Sequence, residues 1–196
     1  MTTREAQKAA TRARILEAAC DLLVERGYST LTTVAVQEAA GLSRGALLHH
    51  FPTSGDLTRA LVADLVARNE QAARAAAARL GPDTDPIARA LSALHDAMTR
   101  PPAQAESELW AAARTDPTLA TALIDAERSA GRDLFRVVDY LFGPTITAHP
   151  RYPTIRDLTI TILRGTAAAR VLRTSDKAVR ATLADWATVI TLLLTD

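Results

Sequence analysis

The sequence predicts an all-α fold of about nine helices, on three observations. Alanine, the strongest intrinsic helix former, occurs 40 times in 196 residues against 8 glycines. Apolar residues recur three and four positions apart along most of the chain, and no stretch keeps the two-residue alternation of a half-buried strand. The doublets Gly81-Pro82, Pro101-Pro102 and Gly143-Pro144 fall where one periodic segment gives way to the next.

In chain order, Ile15, Ala19, Leu22 and Leu23 keep helical spacing and Gly27 follows as a C-cap, which gives a first helix over about 5–26. Thr32 is a good N-cap for a short second helix to Ala40, with Val36 and Ala40 facing inward. Gly41 breaks it, and Ser43 caps a third helix over 44–50 in which Leu47 and Phe51 share a face. Two short helices joined by a glycine-containing turn form a helix-turn-helix, here over about 32–51. Pro52 ends the third helix and Thr53 can cap a fourth, with Leu57, Leu61 and Leu65 as its stripe, continuing through the alanine-rich run to Gly81. Its roughly 27 residues make a rod of about 40 Å. Asp85-Pro86 then reads as an N-cap with proline in the first turn, leading Ile87, Leu91, Leu94 and Met98. A helix around ELWAAAR stops near Asp116-Pro117, which caps a long helix through Leu119, Leu123, Leu134, Val137 and Leu141. Residues 144–153 read as a loop, and two closing helices span about 154–173 and 176–194.

Charge and composition narrow the function. No stretch approaches the roughly 18–20 apolar residues of a membrane span, and the charged N-terminus has no apolar run before Ile15, so neither a membrane segment nor a signal peptide is expected. Cys20 is the single cysteine, which excludes an internal disulfide and fits a reducing, cytoplasmic setting. The net charge of +1 does not advertise a polyanion binder. The placement of charge does. Residues 1–14 carry Arg4, Lys8, Arg12 and Arg14 against Glu5, and residues 43–55 carry Arg44 and two histidines with no acid.

The stretch GLSRGALLHHFPTSGDL (41–57) holds the densest chemistry. Adjacent helical residues such as His49 and His50 point about 100° apart, and no cysteine or glutamate sits at a ligand spacing, so no metal is expected. No nucleophile with an orienting acid accompanies the histidines, which argues against catalysis. Two readings stay open: histidines on a merely solvated helix, or a recognition helix. For the second, Ser43 at the cap, small Gly45 and Ala46, then His49 and His50 leave a slim surface able to enter a major groove about 12 Å wide. Arg44 at the N-terminus can meet guanine O6 and N7 or clamp a phosphate.

Residues 12–57 resemble the N-terminal domain of the TetR family of bacterial transcriptional regulators. Arg12, Ile15, Ala18, Ala19 and Leu22 match its first-helix pattern RxxIxxAAxxL, and Gly27-Tyr28 its Gly-aromatic pair. Ala40-Gly41-Leu42-Ser43 matches its turn, and Gly45, Leu47, His50, Phe51 and Leu57 match the run GxLYxHFxxKxxL. Two positions depart: Leu48 stands where the family's tyrosine is usual, and Thr53-Ser54-Gly55 replaces the lysine opening helix four. Both family residues commonly hold backbone phosphates, so the departures imply weaker non-specific affinity or compensation by the basic N-terminal arm, Arg4, Lys8 and Arg12. The resemblance implies that Thr32, Thr33, Ser43, Arg44, Gly45, Ala46, His49, His50 and Thr53 line the DNA, with Leu47 and Phe51 packing the core.

It further implies a DNA-binding domain over 9–69, and a ligand-binding and dimerisation domain over 70–196, where no motif has comparable specificity. The expected dimer surface is two apolar stripes: Leu158, Ile162, Gly165, Ala169 and Leu172, then Val179, Leu183, Trp186, Ile190 and Leu193. Either stripe is long enough to be an intramolecular core, but two closing helices with apolar faces this wide better fit a four-helix contact with a symmetry mate. Apolar walls for an effector come from Leu61, Leu65, Leu91, Leu94, Met98 and Leu123, with Trp110, Arg114 and His95 as anchors; core packing explains each as well. The expected molecule is a cytoplasmic homodimeric repressor that binds a palindromic operator, needs no cofactor, and is released by a largely apolar small molecule. The alternatives are an activator or ligand-independent DNA-binding factor, and an all-α enzyme. The enzyme would need converging acid, base or metal ligands after residue 70, where His95 and His149 are the only histidines and no ExxH occurs.

Overall fold

The computed structural model describes residues 3–80, 85–169 and 176–195, with the side chains of all of these but 125–133. Nine α-helices follow one another among them: α1 (Thr3–Arg26), α2 (Thr33–Ala39), α3 (Arg44–His50), α4 (Ser54–Leu80), α5 (Pro86–Met98), α6 (Pro101–Ala113), α7 (Pro117–Thr147), α8 (Tyr152–Ala169) and α9 (Asp176–Thr195). A 3-10 turn at Tyr28–Thr30, which the periodicity did not signal, is the tenth helical element. No strand occurs among the described residues. Gly81-Pro82 and Leu172 lie outside them.

The chain divides into two compact units, Met1–Arg68 with Pro101–Ala130, and Asn69–Arg100 with Gly131–Asp196. The division cuts α4 between Arg68 and Asn69, and α6 and the start of α7 group with the N-terminal helices.

The first unit is built on the stripe Ile15, Leu16, Ala19, Leu22 and Leu23 of α1. Val36, Leu47, Phe51, Leu57, Leu61 and Leu65 close over it, together with Leu109 of α6 and Leu119 and Leu123 of α7. Each such leucine, isoleucine or phenylalanine contributes about 1.5–3 kcal/mol through its removal from water. The Tyr28 hydroxyl donates to Asp116 Oδ2 at 3.2 Å, while Asp116 Oδ1 accepts from the N–H groups of Thr118 and Leu119 and caps α7. Cys20 is buried in this core, and burial pushes its thiol up to about 11.

Two helix ends differ from the sequence expectation. The helix around ELWAAAR begins at Pro101 rather than near residue 108, because prolines in a first turn remove only N–H groups that have no helical partner anyway. Helical structure also resumes beyond Gly143-Pro144 to Thr147, inside the expected loop. Gly143 itself adopts φ 79°, ψ 168° and breaks the helix axis, a conformation open to glycine.

The second unit packs Leu91 and Leu94 of α5, Val138, Leu141 and Phe142 of α7, Ile155 and Leu163 of α8, and Val179, Leu183, Trp186 and Ile190 of α9 into one core. Two polar pairs tie its helices together. Trp186 Nε1 donates to Thr159 Oγ1 at 2.9 Å, and that hydroxyl donates to the Ile155 carbonyl at 2.7 Å. The Tyr152 hydroxyl donates to Asp139 Oδ1 at 2.6 Å; burial, with that carboxylate beside it, pushes the phenol well above its ordinary range. Contrary to the sequence expectation, α9 is long and apolar enough, with a mean hydropathy of 1.3, to meet a membrane-span criterion of length and composition. Four of its large side chains are spent on the core of the unit.

Candidate nucleic-acid interface

Thr32 and Ser43 set the two short helices. The Thr32 hydroxyl oxygen accepts from the Ala35 N–H at 3.1 Å and that of Ser43 from the Ala46 N–H at 3.2 Å. Each satisfies a backbone donor that a helix start leaves without partner. Gly41 between them takes φ 63°, the left-handed conformation that a β-carbon resists. There the Gly41 N–H donates to the Glu38 carbonyl and the Leu42 N–H to the Gln37 carbonyl, both at 3.0 Å. Cap, glycine turn and cap together produce a helix-turn-helix.

Burial fixes which side of α3 faces out. Leu47 and Phe51 are in the core, so Gly45 and His49, two residues to either side of Leu47, fall on the opposite face at 3.6 residues per turn. Both are exposed, as is Arg44 in the first turn; Ala46 and His50 flank the face half-buried. A β-carbon on Gly45 would meet nothing within 4 Å. The fold therefore makes no demand for glycine there, although glycine inside a helix costs about 0.5–1 kcal/mol relative to alanine. What it provides is a slim outward surface on which another molecule's backbone can close. Thr32 is exposed and Thr33 half-buried at the start of α2. Two apolar residues of these helices are exposed: Leu48, at the position that departs from the family's tyrosine, and Val34, which the sequence reading did not single out. Val34 had a signal, lying two residues from inward Val36 on a helix.

Thr53 is tied to Asp56. Its hydroxyl donates to Asp56 Oδ2 at 2.7 Å and accepts from the Asp56 N–H, while its own N–H donates to the same carboxylate. This reciprocal cap holds the Asp56 carboxyl below its ordinary value, chiefly through the Thr53 hydroxyl. Arg59 pairs with the same group at 2.6 Å, so α4 opens on a carboxylate.

The basic N-terminal segment is the helical start of α1 itself. Arg4, Glu5, Gln7, Lys8 and Thr11 form one wall of a cleft of about 520 Å³, and His49 and His50 form the other. The imidazoles meet edge to face with centroids 5.5 Å apart, and the Arg12 guanidinium lies 4.7 Å from the centroid of the Phe51 ring. Burial first, then the positive charges of His49, Lys8 and Arg12, lower the His50 titration below its ordinary 6.5. Among the described residues no group of three or more His, Cys, Asp or Glu side chains is arranged to hold a metal ion.

Residues 15–61, which span the helix-turn-helix and its supports, match the family of bacterial regulatory proteins named tetR. The chain is 30% identical to the HTH-type transcriptional regulator CymR of Pseudomonas putida over 137 residues, 70% of this chain and 66% of CymR, so the match spans about two thirds of that relative. It is 27% identical over 168 residues, 86% of each chain, to an uncharacterized HTH-type transcriptional regulator of Mycobacterium tuberculosis. The chain belongs to the TetR family. Among solved structures, this TetR-family regulator is similar in fold to the multidrug binding protein EbrR complexed with imidazole, with a TM-score of 0.63 at 22% identity over 93% of this chain and 94% of that one.

The other predicted sites of the regulator are distributed as follows. Of the effector set, Leu61, Leu65 and Leu123 are in the core of the first unit with Trp110 packed against it, and Arg114 is exposed. Leu91 and Leu94 are in the core of the second unit with Met98 packed against it, and His95 is half-buried. The set is thus shared between the two units. The second unit has a cleft of about 390 Å³ lined by Ala77, Ala78, Arg89, Tyr140, Leu141 and Pro144, together with Gly143, and none of the predicted side chains line it. Of the dimer set, Leu158 is 42% exposed and Gly165 is open, while Ile162, Ala169 and Leu193 are half-buried. Val179, Leu183, Trp186 and Ile190 are covered within a single chain, because their face of α9 completes the core. The outward apolar residues of α9 are Val189 and Leu192, 41% and 61% exposed.

Proposed function

We infer that the regulator is a cytoplasmic repressor that binds a palindromic operator as a homodimer through α2 and α3, and leaves it when a small molecule binds. The observation that carries the DNA-reading part is the outward face of α3: Arg44, Gly45 and His49 stand opposite buried Leu47, with a glycine the fold does not require. Arg44 reads a base edge or clamps a phosphate; Thr32, Thr33, Ser43, Ala46, His50 and Thr53 line the duplex around it. The functional division is a DNA-binding domain over 9–69 and a regulatory domain over 70–196.

Dimerisation uses the outward apolar residues of α8 and α9, Leu158, Val189 and Leu192, beside open Gly165. Two recognition helices then read half-sites about one helical turn apart. The effector reading is supported by likeness to EbrR, a multidrug binding protein seen with imidazole and with proflavin. A ligand that weakens operator binding tenfold must itself bind the operator complex tenfold more weakly, about 1.4 kcal/mol. Footprinting on the DNA upstream of the regulator's own gene, with and without such compounds, tests the reading. Protection that a compound relieves supports it; protection that no compound alters favours a ligand-independent factor.

A further inference from the structure

The first three turns of α1 pose a problem that the core does not answer. Residues 3–14 include no buried side chain, and the core stripe begins at Ile15. Arg4, Lys8 and Arg12 are spaced four apart and so share a face, an arrangement of like charges that disfavours an isolated helix. Across from that line stand His49 and His50, and the cleft between carries Glu5 as its one acid against Arg4, Lys8 and two imidazoles. Arg12 stands behind, over the Phe51 ring.

We propose that this cleft is a second phosphate site of the DNA interface, holding a backbone phosphodiester beside the half-site, and that His50 couples its occupancy to the uptake of a proton. The proposal rests on the DNA-binding reading above. His49 ties the cleft to it, because that residue stands on the outward face of α3 opposite Leu47 and also lines the cleft. A duplex laid along α3 therefore brings its phosphates to the line of cations on α1. The neighbouring start of α4 opens on the Asp56 carboxylate, which leaves phosphate binding at this end of α3 to the cleft. Guanidinium, ammonium and imidazolium groups are the donors that bind phosphodiesters in water by charge-assisted hydrogen bonds.

The coupling follows from what His50 faces. Lys8 and Arg12 from α1 and His49 on its own helix oppose its protonation, Arg4 adds positive charge to the same cleft, and Glu5 is the one acid of the lining. A phosphodiester in the cleft reverses the balance and favours imidazolium. The bound titration midpoint then lies above the free one. Affinity is highest below the free midpoint and is lost as pH rises through the bound midpoint, by about tenfold per pH unit at most for a single proton.

The test follows the four histidines of the full chain, isotopically labelled and assigned with single His→Gln variants, by NMR between about pH 5.5 and 8. Spectra are taken alone, with inorganic phosphate, and with a random-sequence duplex at low salt. The duplex should raise the His50 midpoint by about one unit while His95 and His149 stay put. Lys8→Gln, at an exposed position, should weaken duplex binding and flatten its logarithmic salt dependence by about one unit. A duplex that binds while His50 does not move overturns the proposal and leaves the DNA-binding reading standing. A shift produced by inorganic phosphate and not by the duplex also overturns it. Failure of any duplex to bind overturns the DNA-binding reading itself.

Discussion

The α2–α3 pair and the α8–α9 pair bury side chains for different ends. The first pair comprises two helices of seven residues, each with one buried hydrophobe, Val36 or Leu47. The second comprises helices of 18 and 20 residues with four buried residues each, yet they still expose Leu158, Val189 and Leu192. In α2–α3 the inward face is minimal and the outward residues Arg44, Gly45 and His49 are charged, small or polar, with Val34 and Leu48 exposed beside them, so the outward identities reflect what is approached rather than what is packed. In α8–α9 apolar residues stand on the outward side as well, among exposed Asp157, Arg180 and Asp185. A leucine there says nothing, from sequence, about whether its cover is the same chain or another.

Neighbours on α9 separate those two kinds of apolar residue, and they carry the largest expected effect. Ile190 is fully buried. Ile190→Asp should cost more than the about 2–5 kcal/mol of truncating a core isoleucine, because a carboxylate is also desolvated. Loss of the cooperative thermal transition of the second unit measures it. Leu192→Asp, two residues on, should leave melting and helicity unchanged and yield monomers by analytical ultracentrifugation. A dimer that survives Leu192→Asp together with Leu158→Asp moves the interface off these helices.

The other side of the comparison is probed at Arg44. Arg44→Ala should lose about 1–3 kcal/mol of operator affinity with an unchanged circular dichroism spectrum; an unaltered binding isotherm removes the residue from the interface. Gly45→Ala sharpens the point further. With open space around its β-carbon it should stabilise the fold by about 0.5–1 kcal/mol while weakening the operator complex. A stabilised variant that binds as well as the parent would mean that nothing closes on that face.

The smallest effect is on acid stability. His50 titrates below 6.5 in the fold, so the unfolded chain binds the proton more readily. The stability this confers is present above the unfolded value and is lost progressively as pH falls through it, the loss being complete below the folded value. Melting temperatures should therefore fall on acidification less steeply in His50→Gln than in the parent. Identical slopes would place His50 in an ordinary solvated setting.

How legible each part was follows from the same contrast. Thr32, Ser43 and Gly41 were readable because cap and turn chemistry is local: the residues that set the ends of α2 and α3 lie within a few positions of the bonds they make. The start of α6 was misread because proline marks both the end of one helix and the first turn of the next, and Pro101-Pro102 serves both roles, following the end of α5 at Met98 and opening α6. The effector set was read from leucine stripes, and a stripe is indifferent to its cover: Leu61 and Leu91 have the same spacing whether they face a ligand or only the apolar neighbours of their cores. Thr159 as the partner of Trp186 was invisible, because twenty-seven positions separate them.

The sole cysteine makes the chain its own gauge of opening. Cys20 lies in the core of the first unit with a thiol shifted to about 11, so in the native state it is neither accessible nor a thiolate. Any alkylation of the parent protein must pass through an opened first unit, and its rate at saturating reagent and fixed pH reads the frequency of that event without a probe being added. The same silence means that a cysteine introduced at an exposed position such as Leu192 or Leu48 would react alone, allowing a single dye or spin label to report on either face against a blank background.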